Sequence, residues 1–541
     1  MNKWYIYAGL ASAIVAVLAI LSQGSSRAYS SSDVAGLPEA KASETVELKD
    51  GDTYTLTASY VVKNTNGTEY RMLAYNGSIP GPLIKVSQGA QVIVNFKNDM
   101  DMPTLLHSHG IRMDNRFDGS QTSQEPIGPG GSFAYTLKFP DAGMYWYHPH
   151  VREDFEQELG LYGNFLVVPT DNDYWDSMNQ EVPLILDDIL IQDGSTGLTT
   201  GGTIELNKKE VDHTLMGRYG NVMLTNGQTD YVLSAKKGEV VRFYLTNVAN
   251  ARPFNFAIEG AKLKLVGADG GAYEQDQWED SVIIGPSERA IVEVLFSTSG
   301  TFAIQNKTPD QTYTLGSVVV SSEPTSVSYA KEFAVLKTHS ATVSSIDPLR
   351  SYFDQAPDKK ISLSVTMSGA PAQMQMSMSG HTMPDGTRMP ARQSLGDGVG
   401  GSMMMGASAD GIEWDDVRMM SGAMSTTNNV KWTITDQDTG KINDDITWTL
   451  VKNHPVKIEI YNNPNSMHPM QHPIHFHGQQ FLVLSINGIT QTDLAWKDTV
   501  LVPSGKTIDI LLYPTNPGTW MAHCHIAEHL EDGMMFTYAV Q

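Results

Sequence analysis

Ten of the fifteen histidines in this chain fall into four short clusters, and that arrangement restricts the fold more than any other feature. The clusters are His107-Ser-His109-Gly110, His148-Pro-His150, His472-Pro-Ile-His475-Phe-His477-Gly478, and His523-Cys524-His525 with His529 four residues on. In a β-strand, residues two apart point to one face, so each H-x-H pair can present two imidazoles to a single site. Imidazole is a borderline ligand that suits copper in both oxidation states. The chain is therefore expected to carry metal ligands on strands.

The remaining sequence has the same character. At 541 residues it is too long for one hydrophobic core. Gly, Ser and Thr are plentiful and helical runs are scarce, which predicts an all-β fold. Residues 45–170 alternate in short strands, such as 91–96 and 132–139, between Gly, Pro, Asn and Asp. That pattern predicts a β-sandwich. Residues 180–325 repeat it, for example at 240–246 and 290–296, but hold a single histidine, His213. A third strand-rich region at 346–541 follows a Ser- and Thr-containing connection, so three sandwiches are expected. Within it, residues 369–425 are rich in Met and Gly without periodicity and read as a loop insertion.

The formal net charge of -23 excludes nucleic acid as a partner, because phosphate binding needs clustered Lys and Arg. Residues 1–21 place Lys3 before an apolar run, so the segment 1–30 is predicted to be a signal peptide or an N-terminal membrane anchor. An exported location follows, periplasmic or extracellular, with a membrane tether as the alternative. The single cysteine, Cys524, rules out an intramolecular disulfide. It stands between two histidines, so it reads as a ligand.

In His523-Cys-His-Ile-Ala-Glu-His-Leu-Glu-Asp-Gly-Met534, residues Cys524, His529 and Met534 are spaced as a thiolate, an imidazole and a thioether. With His472 this is the ligand set of a blue-copper site, suited to one-electron transfer. His523 and His525 flank the thiolate, so an electron arriving there can leave through the backbone to metals held by its neighbours.

These motifs resemble the three-domain multicopper oxidase family, the laccase-like enzymes, over nearly all of the chain after about residue 45. Asn76-Gly-Ser-Ile-Pro-Gly-Pro82 resembles the family's first-domain signature. The resemblance implies three consecutive cupredoxin-like Greek-key sandwiches, with a copper-free second domain as spacer. It implies four coppers per chain: type 1 on His472, Cys524, His529 and Met534, type 2 on His107 and His475, and a type 3 pair on His109, His148, His150, His477, His523 and His525. The reaction implied takes electrons singly from a reducing substrate and reduces O2 to water.

That reduction consumes four protons per O2, so carboxylates are expected near the cluster. Asp118 matches the family's acid near the type 2 copper, and Glu528 or Glu531 could deliver protons from the other side. Many relatives carry a carboxylate where this chain has Leu530. Ser108 replaces a common aromatic residue without loss of a ligand. His213, His339, His381, His454 and His468 are expected to be ordinary surface or loop residues.

Similar Met-rich insertions mark bacterial members that oxidise cuprous ion and confer copper tolerance. Thioethers prefer Cu(I). Met374, Met376 and Met378, with Glu413, Asp415, Asp416, Met419 and Met420, are therefore candidates for binding substrate copper. Cu(I) is the favoured donor, with phenols, aromatic amines or Fe(II) as others. The rivals are a laccase acting mainly on organic donors and a non-catalytic envelope copper-binding protein. A monomer is expected.

Overall fold

A computed structural model describes residues 34–191, 211, 213–368, 409–415 and 426–541. The N-terminal segment 1–30, most of the Met-rich insertion, and with it Met374, Met376, Met378, His381, Asp416, Met419 and Met420, lie outside the described residues.

Alternation of apolar residues produces the strands, as in Gln91–Asn98, where every second side chain is buried. They form six sheets, paired as three consecutive cupredoxin-like sandwiches. The first sandwich pairs a four-stranded with a five-stranded sheet, and the second and third each pair a six-stranded with a five-stranded sheet. Each encloses its own apolar core, built around residues such as Phe96 and Tyr135, Phe243 and Phe256, and Ile458 and Phe536. Leu215, Met216, Tyr219 and Ala251 of the second sandwich pack into the core of the third, which ties these two units together.

Strand pairing explains how one run of residues serves two sites. His472–Phe476 lies antiparallel to Gly518–Cys524, with Ile474 opposite Cys524 and His475 opposite His523. Residues directly opposite share a face, and so do residues two apart. His472 therefore shares the face of Cys524, while His475 and His523 share the other. In the first sandwich, His107–His109 lies antiparallel to Gly143–His148 with His107 opposite His148.

Candidate metal centre

Two sets of ligand atoms result. Within the third sandwich, the Cys524 sulfur lies 3.5 Å from His472 Nδ1 and 3.7 Å from His529 Nδ1. All three residues are buried, and so is Met534. The amide of Met534 donates to the carbonyl of His529 and its carbonyl accepts from the amide of Cys524, so the loop fixes it against both. Trp432 stacks on the His529 ring at 4.1 Å between centroids and meets the His472 ring edge-on at 4.8 Å. Burial pushes the Cys524 thiol well up from its ordinary range, against the pull of the Ile526 amide. A thiolate in so dry a place requires a cation beside it.

The second set lies between the first and third sandwiches, where His107, His109, His148, His150, His475, His477, His523 and His525 converge, all buried. The protein fixes the outer nitrogens of six of them, the sixth being His109, whose Nε2 faces the Asp498 carboxylate at 3.0 Å. His107 Nδ1 donates to the Asp118 carbonyl (2.6 Å), His148 Nδ1 to the Pro149 carbonyl (2.7 Å), His475 Nδ1 to the Asp498 carbonyl (2.9 Å) and His523 Nδ1 to the Cys524 carbonyl (2.9 Å). His477 Nδ1 donates to the Asp118 carboxylate (3.0 Å). Each of these rings is left with an inward lone pair.

That geometry tests whether copper fits. Among the described residues, Nε2 of His107, His148, His475 and His525 and Nδ1 of His109 have no hydrogen-bond partner. An unmet buried group costs about 1–3 kcal/mol, so several together point to something that fills the centre. The His477 Nε2 atom is 3.0 Å from His523 Nε2 and 3.3 Å from His150 Nε2. With His477 and His523 donating on the outer side, two of these three atoms face one another as lone pairs, an arrangement that a metal ion between them relieves. Burial holds His107, down to about 4, together with His109, His148, His150, His475, His523 and His525 below the ordinary imidazole range, and neighbouring rings add to the effect. Neutral imidazole is the ligand form.

The rings form one continuous cluster, closest between His109 and His475 (3.8 Å) and between His107 and His477 (4.2 Å), within which the resemblance implies two trios and a pair. His109, His148 and His525 have mutual centroid distances of 5.1–5.7 Å, and His150, His477 and His523 of 5.1–5.4 Å. His107 and His475 remain, 6.1 Å apart.

The carboxylates divide differently from expectation. Burial works against the Asp118 carboxylate, but the His477 and His107 rings and the bonds from His477 and Ser120 bring it down to about 2. At neutral pH it accepts and orients, and holds no proton. Glu528 is pushed up to about 7 by burial, and its carboxylate is turned to Asn250 and Arg218 of the second sandwich. Glu531 accepts from the amide of Glu153 at 3.1 Å. Glu153 is fully buried, its carboxylate 3.3 Å from His150 Nδ1, and burial with Glu531, Asp154 and Glu156 raises it well above the carboxylate range. Sequence reading missed Glu153, although its position three residues after His150 at the start of a helical turn was the available signal.

Three further placements depart from expectation. His339 is buried, bound to Asp276 and the Tyr174 carbonyl, whereas His454 is exposed as expected. Asp415 accepts from Arg252 (2.6 Å) and Tyr313 (2.7 Å), so its carboxylate is committed to clamping its segment onto the second sandwich. His468 is not on the surface. It is 9% exposed, with Nε2 3.3 Å from the carboxylate of Glu413, which is 1% exposed.

Models of the multicopper oxidase family match residues 57–172, 170–323 and 415–541. The multicopper oxidase MmcO of Mycobacterium tuberculosis is 27% identical over 89% of this chain and 86% of its own, and the multicopper oxidase mco of Staphylococcus aureus is 26% identical over 90% and 89%. Among solved structures, the multicopper oxidase of Campylobacter jejuni, described as a metallo-oxidase, superposes with a TM-score of 0.65 at 20% identity, covering 94% of this chain and 98% of that one. McoA of Aquifex aeolicus superposes with 0.66 at 20% identity, covering 94% and 100%. Three matched family segments, six sheets in three sandwiches, and imidazoles whose lone pairs demand cations agree: the chain belongs to the multicopper oxidase family, oxidoreductases that carry copper and pass electrons from a reducing substrate to O2.

Proposed function

We propose that the chain is a four-copper metallo-oxidase whose preferred donor is Cu(I), with the balance 4 Cu⁺ + O2 + 4 H⁺ → 4 Cu²⁺ + 2 H2O. His472, Cys524, His529 and Met534 hold the type 1 ion. The widely spaced pair, His107 and His475, holds type 2, and the two trios hold the type 3 pair. When bound, copper supplies one-electron transfer at the first site and O2 reduction at the second. The residues do the rest. Cys524 joins the two sites by peptide bonds to His523 and His525, and its carbonyl holds His523 Nδ1. Glu531, half-buried, and Glu153, against His150, make a line along which protons can reach the cluster. The setting we propose is the cell envelope, reached through the segment 1–30.

The observation that carries the choice of donor is the Glu413 and His468 pair above the type 1 site. Both carboxylate oxygens of Glu413 and Nε2 of His468 lack hydrogen-bond partners among the described residues, although the two groups face each other. The Glu413 amide donates to Gln471, the residue before His472, and His468 helps to hold His472 down to about 3 after burial has done most of it. Met467, beside His468 in the chain, is 52% exposed and offers a thioether. His472 and His529 are themselves buried beneath this layer, so a bulky phenol has no direct approach. A small cation taken by the His468 imidazole and the Glu413 carboxylate, with the exposed Met467 thioether next in the chain, does. Carboxylate ligation also favours the Cu(II) product over Cu(I).

Glu413→Gln and His468→Gln are each expected to lower kcat/KM for Cu(I) by roughly tenfold or more, about 1.4 kcal/mol of transition-state stabilisation. Deleting residues 374–405 should deepen that loss, while phenol oxidation persists or rises. Unchanged Cu(I) oxidation in all three variants would make a laccase for organic donors the better reading. Equal loss for Fe(II) in the two point variants, with no effect of the deletion, would point to ferrous ion.

A further inference from the structure

The interface cluster is held by two aspartates in mirrored fashion. In the first sandwich, the carbonyl of Asp118 accepts from His107 Nδ1 and its carboxylate from His477 Nδ1, a ring of the third sandwich. In the third, the carbonyl of Asp498 accepts from His475 Nδ1 (2.9 Å) and its carboxylate from His109 Nε2 (3.0 Å), a ring of the first. The held rings lie against each other, His107 on His477 at 4.2 Å and His109 on His475 at 3.8 Å between centroids. Each aspartate thus joins one type 2 ligand, through its backbone, to one type 3 ligand, through its side chain, across the sandwich interface.

The two differ in what holds the carboxylate. Asp118 receives a hydroxyl, from Ser120 at 2.5 Å. Asp498 receives the guanidinium fork of Arg289, fully buried, with Nη1 2.8 Å from Oδ1 and Nη2 closer still on Oδ2. Arg289 belongs to the second sandwich, on the strand Arg289–Leu295, and is itself fixed by the carbonyls of Met144 and Ser287. Thr499 donates its hydroxyl to the same Oδ1 at 2.9 Å. Every oxygen of the Asp498 carboxylate therefore faces donors, which fixes it as an acceptor toward His109. Accepting there forces the proton of His109 onto Nε2 and leaves Nδ1 bare, facing the centre, where it has no protein partner. The glycine of the H-x-H-G motif fits this arrangement: Gly110 has φ +80°, and a Cβ there would run into the Asp498 carboxylate and the Arg289 guanidinium.

We propose that Asp498 is a positioning residue that sets the tautomer of His109 for the type 3 pair, and that Arg289 carries this function from the second sandwich, which is therefore more than a spacer. The proposal rests on assigning the interface cluster to copper, and the copper content of the unaltered chain tests that assignment separately.

Asp498→Asn distinguishes positioning from a general structural role. An asparagine must turn its NH2 either to Arg289, donor against donor, or to His109, which then carries its proton on Nδ1. The backbone carbonyl that holds His475 is untouched by the substitution, so type 2 should persist. The expected result in the copper-reconstituted full chain is selective: the blue band and the type 2 paramagnetic signal remain. The near-ultraviolet band of the coupled pair is lost, bound copper falls by one or two ions per chain, and O2 reduction drops at least a hundredfold. Arg289→Met should reproduce that pattern more weakly, and Arg289→Lys, which restores charge without the fork, should recover part of it. Four coppers with an unchanged coupled-pair band in both Asp498→Asn and Arg289→Met would overturn the proposal. So would loss of type 2 with the coupled pair intact.

Discussion

Cys524→Ser is expected to abolish the intense blue absorption and the oxidase activity together, by at least three orders of magnitude in turnover. The thiolate does two things that no other residue can take over. It is the soft ligand between His472 and His529 that lets copper exchange one electron with little change of geometry. It is also the shortest covalent junction between the two sites, because His523 and His525 are its immediate chain neighbours, whereas His472 is separated from His475 by Pro473 and Ile474. A serine hydroxyl is a hard, weak ligand, and in so dry a site it remains protonated. The interface cluster should be spared, since its rings lie on the opposite face of the strand Gly518–Cys524. Absorption and electron-paramagnetic spectra of the variant check both parts. Retained blue colour would remove Cys524 from the site.

Removing copper should have the second largest effect, on stability. The centre contains buried rings whose inward nitrogens have nothing to bond, and at the interface these come from two different sandwiches. A ligand that binds only the folded chain stabilises it by about 4 kcal/mol when present at about 1,000 times its Kd, and each tightly held ion adds such a contribution. The copper-free chain should therefore unfold at a markedly lower temperature. The first and third sandwiches should separate before either melts, because the interface is where the unmet groups lie. Calorimetry of loaded and stripped protein in one buffer measures this, and coincident transitions would show that copper does not join the sandwiches.

The local features of the site were legible in the sequence because they are periodic. Pairs two residues apart on a strand cannot avoid sharing a face, and Cys524 between two histidines must point away from both. Strand character was equally plain, and the segments expected at 91–96 and 240–246 lie within the strands Gln91–Asn98 and Val240–Asn247. The residues that complete the site were hidden because they reach it alone, from distant parts of the chain. Asp498 and Arg289 are 209 residues apart and carry no neighbouring histidine. Glu413 reaches His468 from within the Met-rich insertion, and a lone histidine beside Pro469 gives no sign that a carboxylate will approach it. Asp415 looked like its neighbour Glu413, but Arg252 of the second sandwich captures one and leaves the other. Charge partners chosen by the tertiary fold have no period to read.

The central claim is that the thiolate site and the histidine cluster work as one four-electron unit. Its most direct test is to reduce the fully loaded chain without oxygen, count the electrons taken up, and then add a known amount of O2. Four electrons per chain, one O2 consumed per chain, water as product and no hydrogen peroxide are the expected results. Uptake of one or two electrons, or release of peroxide in proportion to the O2 consumed, would contradict it.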